Sequence, residues 1–172
     1  MTTEPTRAPT RVLFLCSGNS ARSQIAEALL NARAQGRFVA ESAGSQPAAA
    51  VNPFAIQALG RANIDWSGRR PRGTDAVQAL EWDLVITLCD RAKEQCPVLP
   101  GRPVVAHWGM EDPSDVGGTD EEKLQAFIAA SVLISRRIAL LLALPADGID
   151  RLVLQHRLRA IADETAPPRL VR

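Results

Sequence analysis

The chain has no tyrosine, only two lysines (Lys93 and Lys123) and only three cysteines in 172 residues. Three cysteines cannot close a disulfide framework, which leaves thiol chemistry as their expected use. A structural zinc site wants four ligands. The three cysteines and His107 could supply them on paper, but their spacing does not match a zinc finger. Charge excess is also lacking: 20 basic and 19 acidic residues leave a net +1. That balance gives no reason to expect nucleic acid or a membrane surface as partner. The longest apolar run, Ile138 to Leu144, is far shorter than the roughly 20 residues a bilayer demands. The first ten residues are polar, carry two prolines and lack the apolar core of a signal peptide. The expected location is the cytoplasm.

What is present is organised around Val12 to Ser23. Val12 to Leu15 reads as a buried strand and delivers Cys16 at its end. Ser17, Gly18, Asn19, Ser20 and Ala21 then make a tight loop of small, turn-prone residues. From Arg22 a helical pattern places Ile25, Ala26, Leu29 and Leu30 on one face. Such a loop can aim backbone N–H groups at one point, with the positive end of a helix dipole behind it. A phosphate-like oxyanion would sit there, gripped by Arg22 in a bidentate fork. The same field favours a thiolate, and cysteines so placed have pKa values of about 3.5–7.5. Ser23 could donate to the sulfur and push the same way. Cys16 is therefore the candidate nucleophile. A buried strand-end cysteine before an ordinary turn is the plain alternative; the strand–loop–helix context argues against it.

The remaining punctuation predicts one domain. Strands are expected at 11–15, 38–42, 83–88 and 103–108. Helices are expected at 22–35, from Pro53 to about Gly60, at 75–80, at 120–144 and at 149–162. Asn52 before Pro53 is a capping start, and Thr119 with Glu122 spells a capping box. The long helix offers Leu124, Phe127, Ile128, Val132, Ile134, Ile138 and Leu141 to the core. Leu154, Leu158 and Ile161 form a stripe on the last helix that should pack back on the domain. Alternating strands and helices imply an α/β fold: a small four-stranded parallel sheet with helices on both faces and an extra C-terminal helix. The expected division is a tail at 1–10, the domain at 11–144 and a helical extension with its tail at 145–172.

Two further groups fall at the C-terminal edge of that sheet, where ligands gather. Cys89 ends the third strand, and Cys96 lies seven residues on. A rigid helix would hold their sulfurs about 10 Å apart, whereas a disulfide needs Cα atoms within about 7 Å. If they pair, the segment must unwind; spacing alone leaves pairing and independence equally open. Asp112, locked before Pro113, suits a general acid, although an Asx turn uses the same residues. His107 precedes an aromatic at a strand end and reads as structural.

The segments C-S-G-N-S-A-R-S-Q-I-A-E-A, E-S-A-G, V-N-P, I-D-W-S, L-V-I-T-L-C-D, Q-C-P and H-W-G-M-E-D-P occur in this order. Together they resemble the thioredoxin-coupled arsenate reductases, which share the fold of the low-molecular-weight protein tyrosine phosphatases. The resemblance spans about residues 11–144. It implies a thiol relay. Cys16 attacks arsenate held by Arg22 and the loop amides, while Asp112 aids departure of oxygen. Cys89 then attacks Cys16, and Cys96 attacks Cys89. The last disulfide is reduced by thioredoxin. Phosphate or sulfate would mimic the substrate. No tightly bound cofactor is implied, and a monomer is expected. Some relatives hold potassium near the loop. Asn19, Glu27 and Ser42 match that set, but Arg72 stands where it needs an aspartate, so the Arg72 cation could replace the ion. The competing reading is a low-molecular-weight protein tyrosine phosphatase hydrolysing phosphomonoesters through a Cys16 phosphocysteine. Such phosphatases carry tyrosines after the Asp-Pro, and this chain has none. A third reading, a non-catalytic arsenite or metal binder built from the three thiols, would consume no reductant.

Overall fold

A computed structural model describes residues 7–145 and 149–167. Four strands form one parallel sheet in the order β2-β1-β3-β4: β1 (Thr10–Cys16), β2 (Phe38–Gly44), β3 (Leu84–Thr87) and β4 (Val104–His107). Among the described residues five α-helices accompany them: α1 (Arg22–Arg33), α2 (Pro53–Arg61), α3 (Asp90–Glu94), α4 (Asp120–Leu142) and α5 (Arg151–Thr165). The expected α/β architecture with an added C-terminal helix is the one observed. Expected residues 1–6, 146–148 and 168–172 of the tail and extension lie outside the described residues.

β1 is central and apolar on both faces. Val12, Phe14 and Cys16 belong to one core, and Leu13 and Leu15 to the other, as strand alternation requires. The chain steps from β1 to β2 in one direction and from β3 to β4 in the opposite one. With right-handed crossovers, reversal of direction puts α1 and α3 on opposite faces. The two faces are covered unequally. Residues of α1, α2, α4 and α5 fill the larger core, including Ile25, Leu59, Phe127, Ile138 and Leu158. The smaller core is closed by Val77, Trp82, Ala92 and Leu99, from turns and the five-residue α3.

Caps fall where the sequence places them. Asn52 accepts from the Phe54 N–H, and the Thr119–Glu122 box is complete. Three expectations differ. The helix at 75–80 is instead a single 3-10 turn, Thr74–Ala76. The second strand runs on to Gly44, because Cys16 and Gly44 are register partners. Val132 faces solvent: the buried stripe of α4 runs through Ile134, Arg137, Ile138 and Leu141 instead. By length and composition α4 could cross a membrane, yet that stripe packs into the core.

Candidate active site

The β1–α1 loop begins at the end of β1 and turns between β2 and β3, where strand order reverses. Its carbonyls are turned outward: Ser17 O accepts from Gln46 N, Gly18 O from Ala48 N and Ser20 O from Asn52 N, all at 2.8–2.9 Å. In a trans peptide the N–H points opposite to its C=O. The N–H groups of Gly18, Asn19 and Ala21 are thereby aimed to the other side. Gly44 lies directly beneath the loop. A Cβ there would sit 2.9 Å from both Asn19 N and Cys16 O, and closer still to Ser17 O. Only glycine permits that approach.

Asn19 is the brace of the loop. It is fully buried in the left-handed region, with φ 49°. Its Oδ1 accepts from the Arg72 N–H at 2.8 Å and from Gln24 Nε2 at 3.1 Å. Its Nδ2 must then face the other way, and it donates to Ser23 Oγ at 2.8 Å and Ser42 Oγ at 2.9 Å. Because Ser23 Oγ already accepts, its own proton is free for Cys16 Sγ, 2.8 Å away. Ser42 likewise donates its hydrogen bond to the Glu27 carboxylate. Gln24 is fixed in turn by the Trp66 indole N–H at 2.8 Å.

The thiolate expectation needs correction. Cys16 is 3% exposed, and burial pushes its thiol above the ordinary range. The Ser23 hydroxyl, the Ser23 and Asn19 backbone N–H groups and the Arg22 charge all pull it back down, without reversing the net direction. The sequence revealed the groups that favour ionisation but not how completely the sulfur is withdrawn from water.

Arg22 is buried and reaches across to the loop after β4. Its Nη2 meets Asp112 Oδ2 at 2.9 Å, and its Nη1 donates to Met110 O at 3.0 Å. Its Nε is buried and finds no partner among the described residues. A buried donor left unpaired is costly, which suits a group built to take an anion. Asp112 is held from the other side as well, its Oδ1 accepting from Ser114 N at 2.9 Å. The Asx turn and the site carboxylate are thus one residue.

Cys89 stands beside the loop: its Sγ lies 3.4 Å from Ser17 Oγ. The same sulfur caps α3 by accepting from Ala92 N at 3.4 Å. Cys96 lies beyond the far end of α3, half-buried, and burial raises its thiol. All three cysteines are free thiols. His107, as read, is a tie rod: it bonds Thr87 Oγ1 at 2.8 Å and Asp90 of α3 at 3.0 Å.

The three residues that match the relatives' potassium set, Asn19, Glu27 and Ser42, are already engaged with each other. Asn19 presents its amide N–H, not its oxygen, to Ser42, and Ser42 donates to Glu27. Arg72 pairs with Glu41 at 3.1 Å, and Arg69 lies 4.0 Å from Glu27. Burial raises the Glu27 carboxyl, and both arginines counter it. This donor set does not fit a potassium ion, because N–H groups and guanidinium charges stand where oxygens would be required. Among the described residues there is no cluster of three or more His, Cys, Asp or Glu side chains able to hold a metal.

The residues that sequence reasoning missed are Gln24, which supports Asn19, and Arg137, 2% exposed. Arg137 shares the spacing of Ile134, Ile138 and Leu141, and that stripe was its signal.

The profile of the low molecular weight phosphotyrosine protein phosphatases matches residues 11–143. The arsenate reductase of Halalkalibacterium halodurans is 39% identical over 127 residues, covering 74% of this chain and 91% of that protein. The crystal structure of arsenate reductase from Archaeoglobus fulgidus superposes with a TM-score of 0.62 at 34% identity, covering 77% of this chain and 99% of that one. A thioredoxin-dependent arsenate reductase of Corynebacterium glutamicum gives a TM-score of 0.53 at 26% identity, covering 79% of this chain and 65% of that one. With its cysteine–arginine loop, its sheet and these relatives in agreement, the chain belongs to the low molecular weight phosphotyrosine protein phosphatase family and groups within it with the arsenate reductases.

Proposed function

We propose that the protein reduces arsenate to arsenite by passing a disulfide along three of its own thiols. The Cys16 thiolate attacks arsenic, and a hydroxyl leaves as water with the Asp112 proton. Cys89 then attacks Cys16 Sγ. The S–As bond breaks, its electron pair stays on arsenic, and arsenite departs from a Cys16–Cys89 disulfide. Cys96 attacks Cys89 and frees Cys16. A dithiol of the thioredoxin class reduces the Cys89–Cys96 bond. Each exchange requires a thiolate and access to the sulfur attacked.

The observation that carries this reading is the contact between Cys89 Sγ and Ser17 Oγ. It sets a second thiol against the residue next to Cys16, a placement that phosphomonoester hydrolysis does not use. Cys96 lies at the other end of α3, so the last transfer needs that short helix to open. Resident potassium is no part of the scheme, since Arg69 and Arg72 supply positive charge beside Glu27.

The test follows NADPH consumption with arsenate, thioredoxin and thioredoxin reductase. The parent should turn over, and Cys16→Ser, Cys89→Ser and Cys96→Ser should not. Cys89→Ser that still consumes NADPH at the parent rate would refute the relay, and a parent that consumes none but hydrolyses an aryl phosphate would be a phosphatase.

A further inference from the structure

Three successive carbonyls after β4 are each held by an arginine. Arg137 Nη1 donates to Trp108 O at 2.6 Å, and both Nη atoms reach Gly109 O at 3.3 Å. Arg22 takes the next one, Met110 O. Asp112 follows two residues later, bonded to the same Arg22. The segment carrying the acid is therefore strung between the loop arginine and Arg137.

Arg137 is itself set from α5. Its Nε donates to Thr165 Oγ1 at 2.9 Å. Thr165 Oγ1 donates to Ile161 O at 2.7 Å, which turns a lone pair toward Arg137. α5 makes a second tie to the same segment: the fully buried Trp108 indole donates to Leu158 O at 2.9 Å. Every bond of Arg137 among the described residues goes to a carbonyl or a hydroxyl. Burying a guanidinium without a carboxylate is unfavourable. An apolar residue would fill this part of the α4 stripe more readily, so the cation is retained here against its cost. α5 lies beyond residue 143, where the family match ends.

We infer that α5 is part of the catalytic apparatus: through Arg137 and Trp108 it fixes where Asp112 stands, and Thr165 is a positioning residue for proton donation. This rests on the acid role proposed for Asp112. A purely structural α5 would contribute Leu158 and Ile161 to the core and nothing more.

The two cases separate in a double-mutant cycle on the full chain, read as arsenite released in a single turnover by the reduced protein. Thr165→Val keeps the shape and removes the acceptor. It should slow release about 3- to 10-fold with phosphate affinity not weakened, while Thr165→Ser restores the parent rate. In an Asp112→Asn background the same change should cost less than about twofold, because the group it positions is gone. Trp108→Phe, which removes the indole N–H together with part of the ring's volume, should repeat the pattern and provides the cycle if Thr165→Val does not fold. Equal losses in both backgrounds would overturn the inference, as would no loss where Asp112→Asn alone is slow. If Asp112→Asn itself loses nothing, the acid role has failed and this inference falls with it.

Discussion

Arg22 Nη2 and Asp112 Oδ2 lie 2.9 Å apart, so the cation that would clasp the substrate and the acid that would serve it hold each other. An incoming oxyanion competes with Asp112 for that guanidinium. Replacing Asp112 with asparagine removes the competitor and the proton source together. Asp112→Asn should bind phosphate at least as tightly as the parent by calorimetry. Its arsenate turnover should fall about 100-fold, within the usual span of a general acid.

Arg22→Lys keeps a charge but loses the planar fork. Two oxygens can no longer be gripped at once, and the Met110 carbonyl loses its donor. The KM for arsenate should rise about tenfold or more, equivalent to about 1.4 kcal/mol of binding. Steady-state kinetics checks this.

The pH dependence of Cys16 follows from its hydrogen bonds. Burial raises the thiol, and the Ser23 hydroxyl is the largest influence lowering it. Removing that hydroxyl in Ser23→Ala must raise the thiol further. At any pH below the thiol's pKa the thiolate fraction falls, so the acid limb of the rate profile moves to higher pH. The rate of Cys16 alkylation against pH, read by mass spectrometry, should shift in the same direction. A shift to lower pH would contradict the assignment of Ser23 as donor.

Gly44→Ala places a methyl group against the undersides of Ser17, Asn19 and Cys16. These are backbone atoms and cannot swing aside. The loop should be driven from its geometry, with phosphate binding lost and the melting temperature lowered by several degrees, as overpacking costs about 1–3 kcal/mol. Gly60→Ala, where the added methyl meets nothing within 4 Å, is the control and should be neutral or stabilising.

Potassium should make no difference. With Arg69 and Arg72 beside Glu27, melting temperature and turnover in potassium chloride should equal those in sodium chloride of the same ionic strength. Arg72→Asp should make the protein sensitive to that exchange of cations.

The loop from Cys16 to Arg22 was legible because its signals are local: a strand end, small turn residues and a helical stripe. Asn52 and Thr119 were legible for the same reason, since a cap bonds within its own first turn. What escaped depends on distant partners. The 3-10 turn at Thr74–Ala76 carries helix-compatible residues, but Trp82 closes it by donating to Val77 O. Arg137 shares the spacing of the buried stripe, but the carbonyls that receive it lie 29 and 28 residues away and leave no local mark. The raised Cys16 thiol was hidden too, since enclosure is a property of the folded whole.

Helix α3 has five residues and is capped by the sulfur of Cys89. So short a helix has almost no stability of its own. In the proposed relay Cys89 leaves that cap to form its first new bond. The chemistry therefore removes the pin from the part that must swing, at the moment the swing is required. No separate trigger is needed, and a molecule that has not yet spent its first thiol keeps the device closed.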